Sequence, residues 1–78
     1  MTANQMIELM NRVPFSPLEI RLNDGTQIVV EHPWQISTAP NRPICVIFEL
    51  DEDRTRYVSY RNITEVIVAG EKLPTDAS

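Results

Sequence analysis

The chain has 78 residues, 42% of them hydrophobic and 23% charged, which fits one small domain with a thin core rather than a disordered chain or a membrane span. A net charge of -4 gives no general attraction to nucleic acid or to an anionic membrane surface. The single cysteine, Cys45, excludes an internal disulfide and a thiolate metal cluster, and its place in the apolar run ICVIF reads as a buried small hydrophobe.

In the N-terminal segment MTANQMIELMNR, Thr2 followed three residues later by Gln5 fits a capping box at a helix start. Met6, Leu9, Met10 and Val13 then recur at helical spacing and predict one apolar stripe. Pro14 ends the helix and Pro17 keeps PFSP extended, because proline lacks a donor and disfavours helical geometry in the residue before it. The segment lacks a basic region followed by an unbroken apolar stretch, so no secretory leader is expected and the protein is placed in the cytoplasm.

Leu18, Ile20 and Leu22 alternate with Glu19 and Arg21 as in a half-buried strand, and Ile28 and Val30 continue the pattern after Asn23-Asp24-Gly25. A two-residue Asp24-Gly25 loop would set Leu18 opposite Glu31. A three-residue loop, with Gly25 left-handed, sets Ile20 opposite Ile28 and Leu18 opposite Val30, and is therefore the expected turn. Pro33 cannot donate to a ladder, so the strand bends there before Trp34, Ile36 and Thr38. The next strand, ICVIFEL, is apolar on both faces, as if covered by the core on one side and by the helix on the other. RYVSY and TEVIV follow, joined tightly at Arg61-Asn62-Ile63.

Counting the two halves around Pro33 as one strand, the chain predicts an α+β fold: a short N-terminal helix plus a five-stranded, strongly bent antiparallel barrel. Residues 1–70 form the domain and 71–78 a flexible tail. The expected core is Met6, Leu9, Met10, Leu18, Ile20, Leu22, Ile28, Val30, Ile36, Val46, Phe48, Val58, Val66 and Val68.

This order resembles the SH3-like barrel of Sm-like proteins. YRNITEVIV, Tyr60 to Val68, is similar to the segment of bacterial Sm-like RNA chaperones in which one tight turn enters the last strand and a Tyr-Lys-His triplet helps bind uridines. Tyr60 and Arg61 match in kind, whereas Asn62 stands for the histidine and the bent strand lacks the usual glycine. Pro14-Phe15-Ser16-Pro17, Ile20-Arg21-Leu22-Asn23-Asp24-Gly25 and His32-Pro33 also resemble a group of short bacterial proteins with PFxP, IxLxDG and HP segments; that resemblance implies no activity.

Candidate residues fall in two places. Trp34 beside His32 and Pro33 can form a ligand shelf for a protein partner, against the plainer reading of both as bend and packing residues. Tyr57 and Tyr60 with Arg56 and Arg61 mix stacking surface and cation as single-stranded RNA binding requires. Arg54 adds to that group, and Asp51, Glu52 and Asp53 oppose it. No Ser-His-acid set, phosphate loop or metal-ligand spacing occurs, so neither an enzyme nor a cofactor is expected. The sequence points to a non-catalytic protein-interaction module that self-associates. An Sm-like RNA-binding regulator using Tyr60 and Arg61 is the alternative, disfavoured by net charge.

Overall fold

In a computed structural model describing residues 1–69, helix α1 (Ala3–Met10) starts at the Thr2 capping box. Thr2 Oγ1 accepts from the Gln5 amide at 3.2 Å, and Gln5 Oε1 accepts from the Thr2 amide at 2.9 Å. The helix ends at Met10 with Asn11 as its cap, and Val13, expected on the apolar stripe, is 95% exposed. Pro14 keeps only Val13, the residue directly before it, out of helical geometry, and the helix has already ended at Asn11. Ala3 and Met6 carry the buried stripe, with Leu9 and Met10 packed against the same cluster.

Six strands follow: β1 (Leu18–Leu22), β2 (Gln27–Val30), β3 (Ile36–Ser37), β4 (Ile44–Glu49), β5 (Arg54–Ser59) and β6 (Ile63–Val68). They form two antiparallel sheets, ordered β2-β1-β6 and β3-β4-β5. Six strands replace the expected five because Pro33–Gln35 forms a 3₁₀ turn that divides the bent strand into β2 and β3. A second 3₁₀ turn, Tyr60–Asn62, carries the chain from β5 into β6. The proposed tail 71–78 lies outside the described residues.

The hairpin takes the register that its apolar pattern requires, with Leu18 opposite Val30, Ile20 opposite Ile28 and Arg21 opposite Gln27. Its three-residue turn has Gly25 at φ +91°, and the Gly25 amide donates to the Leu22 carbonyl at 3.0 Å. On the other side β1 pairs with β6, with a bulge at Arg21/Leu22 that sets Leu22 opposite Ile63.

The core joins Ala3 and Met6 to Leu18, Ile20, Ile28, Val30, Ile36, Cys45, Ile47, Val58, Tyr60 and Ile63. Leu22, Val66 and Val68 pack at its margin. On β4 the inward positions are Cys45 and Ile47, correcting the expectation of Val46 and Phe48. ICVIF offers an apolar residue at either phase; pairing selects Cys45, which faces the buried Val58. Nor does α1 cover the other face of β4, since its buried residues enter the same core as Cys45 and Ile47.

Candidate functional site

The Pro33–Gln35 turn is held by one side chain that sequence reasoning did not single out. Gln35 is 2% exposed. Its Oε1 accepts from the amides of Glu31 at 2.8 Å and His32 at 2.9 Å, and its Nε2 donates to the Phe48 carbonyl at 2.9 Å. A glutamine at the third position of a turn that begins with proline is the available signal, since from there it reaches back to the preceding amides. With Gln35 directed inward, Trp34 is left outside at 64% exposure. The rings of His32 and Trp34 lie parallel, their centroids 5.1 Å apart and their planes within 7°. The structure thus brings these two candidates together as an exposed aromatic pair on a clamped turn.

The second group does not converge. Tyr60 is 4% exposed and belongs to the core, and its hydroxyl donates to Thr38 Oγ1 at 2.8 Å. Burial pushes its phenol up to about 12, against the lowering effect of the Thr38 hydrogen bond. This corrects the expectation of a stacking residue, because neither ring face is free to receive a base. Arg56 and Arg54 both donate through Nε to Glu49 Oε1, at 2.7 and 2.6 Å. Burial raises the Glu49 carboxyl, yet these two guanidiniums outweigh it and hold the carboxyl below its ordinary value. The acid that balances the arginines is therefore Glu49, across the β4–β5 ladder, rather than the Asp51–Asp53 loop alone. Tyr57 is exposed on the opposite face of β5 from Arg56, and Arg61 is exposed in the Tyr60–Asn62 turn.

The surface that sequence reasoning missed is the outer face of the second sheet. Pairing places Ser37 beside Val46 and Val46 beside Tyr57, with Ile44 opposite Ser59 and Phe48 opposite Thr55. Tyr57 is 74% and Ile44 43% exposed; Val46 and Phe48 are half-buried without joining the core. The signal was the uninterrupted apolar run of β4, which needs cover on both faces, whereas the described chain covers one.

A shallow groove of about 160 Å³ lies between β2 and the β4–β5 turn, lined by Val29 and Leu50 with Glu31, Asp51 and Glu52. Among the described residues no group of three or more His, Cys, Asp or Glu side chains is placed to hold a metal ion. No helix among them is long and apolar enough to cross a membrane. Comparison of the chain with family models, curated proteins and solved structures found no match. What stands on geometry is a small α+β fold with two antiparallel sheets, a clamped corner bearing two aromatic rings, and an apolar sheet face on which Ile44 and Tyr57 are exposed among the described residues.

Proposed function

We propose that this chain is a cytoplasmic, non-catalytic protein-interaction module that associates with copies of itself. The observation that carries the reading is the outer face of the β3-β4-β5 sheet, which none of the described residues packs over and where Ile44, Val46, Phe48 and Tyr57 stand together. Apolar side chains grouped on one face, rather than scattered singly, mark an interaction surface. The strand edges favour the same reading: β5 and β6, each of six residues, are the outer strands of their sheets. An open edge of that length presents backbone donors and acceptors that a second chain can satisfy. The exposed Trp34–His32 pair supplies a further contact for a protein partner.

The architecture is best described as a strongly bent SH3/Sm-like barrel, with β2, the Pro33–Gln35 turn and β3 serving as its bent second strand. Passage of that unit from one sheet to the other supports this description, as does the single 3₁₀ turn before the last strand. Sedimentation velocity from micromolar to millimolar protein tests the function. A weight-average mass that rises with concentration is expected, and a monomer mass throughout would remove the reading. Uridine-rich oligonucleotide is expected not to bind even at low salt; salt-sensitive binding would put the RNA-binding alternative in its place.

A further inference from the structure

We propose that two copies pair symmetrically, face to face, through the outer surfaces of their β3-β4-β5 sheets. The inference rests on the self-association reading and supplies its surface and symmetry.

The face is distinguished by what it lacks. The chain carries seven basic and eleven acidic residues, yet the outward positions of β3, β4 and β5 hold only Ile44, Val46, Phe48, Tyr57 and three hydroxyl side chains. The outer face of the other sheet is different. There Arg21 bridges Glu19 at 3.0 Å and Glu65 at 3.5 Å. Two copies each carrying a net charge of -4 repel wherever their carboxylates meet, and desolvating like charges against each other is costly. A charge-free patch is where such a chain can meet itself without that cost. A basic partner would draw instead on the chain's acidic residues, and those lie elsewhere: Glu49 points inward to its arginines, and Asp51–Asp53 lie past the end of β4.

Twofold symmetry follows from self-complementarity, because an isologous contact presents the same patch from both sides. Sheets stacked in this way lie about 10 Å apart with strands crossing at about 30°. The strand spacing and the length of β4 give a patch of roughly 15 by 20 Å. That is well below the roughly 800 Å² per partner of a standard stable interface, so the dimer is weak and forms in the micromolar range or above.

Sedimentation velocity on the wild type, Tyr57→Lys, Ile44→Lys and Val29→Lys tests the assignment, with circular dichroism establishing that each is folded. Tyr57 and Ile44 are substantially exposed on the proposed face, and Val29 is exposed on the other sheet. The wild type is expected to reach a dimer and go no further. Tyr57→Lys and Ile44→Lys should need at least about tenfold more protein to dimerise, from the like charges brought into contact, while Val29→Lys behaves as wild type. A wild type that associates, with both lysine variants on the proposed face unaffected, overturns this surface but leaves self-association standing. Species larger than a dimer, insensitive to those variants, would point to pairing through strand edges. A wild type monomeric to millimolar concentration removes both proposals.

Discussion

Replacing Gln35 by leucine keeps a side chain of similar volume but removes three hydrogen bonds, those from the Glu31 and His32 amides and that to the Phe48 carbonyl. Each is worth about 1 kcal/mol net, and a buried partner left unsatisfied costs about 1–3 kcal/mol. Glu31 and His32 are exposed, so water can recover part of the loss at their amides, whereas Phe48 is half-buried. The expected destabilisation is about 3 kcal/mol, against about 4–12 kcal/mol for a domain of this size. That corresponds to a melting temperature lower by roughly 12–24 °C. Urea unfolding followed by circular dichroism measures the change. Trp34, the only tryptophan, reports the same turn through its fluorescence. A variant within about 0.5 kcal/mol of wild type, the range of unremarkable surface substitutions, would show that the corner does not depend on this side chain.

Two further outcomes are expected. Glu49→Gln should cost about 1 kcal/mol at neutral pH, because Arg54 and Arg56 are partly solvated. The Glu49 carboxyl is held below its ordinary value of 4.5, so its contribution is complete above that value and is lost as pH falls through the lower, folded value. The stability gap between wild type and variant, measured in urea, should therefore hold from neutral pH down to about 5 and narrow in more acid solution; a gap unchanged in strong acid would refute the pairing. Gly25→Ala meets no atom at the added Cβ, so its cost is conformational, about 1–2 kcal/mol for an alanine at φ +91°, and an unchanged melting temperature would contradict a left-handed residue at that position.

Much of the first sheet was legible in the sequence. Leu18 and Ile20 alternate with Glu19 and Arg21, and Ile28 and Val30 share the phase opposite Gln27 and Glu31, so one register sets all four apolar residues against each other and dictates the turn length. The helix start was equally plain in Thr2 and Gln5. The helix end was not, because Val13 continues the apolar period while proline acts on the backbone preceding it. The inward phase of β4 was illegible for a different reason. In Ile44-Cys45-Val46-Ile47-Phe48 both faces are apolar, so hydrophobicity cannot choose between them, and the decision falls to pairing with Val58.

The candidate site was half legible. Trp34 beside Pro33 stood out by type, and the structure leaves it exposed. Gln35, which holds the turn, looked like any polar residue, because its value lies in three partners separated along the chain. Tyr60 stood out for a motif-like neighbourhood, yet its ring is packed in the core and its hydroxyl donates to Thr38, 22 residues earlier.

The two sheets are connected by covalent chain at only two places among the strands, β2 to β3 and β5 to β6, and each passage runs through a three-residue 3₁₀ turn. Both are corners rather than loops. Each is pinned from inside by a buried side chain, Gln35 at the first and Tyr60 at the second. The contour that any partner meets therefore rests on two residues it never touches, since Gln35 and Tyr60 are both buried beneath the turns they hold, beside the core packed between the sheets.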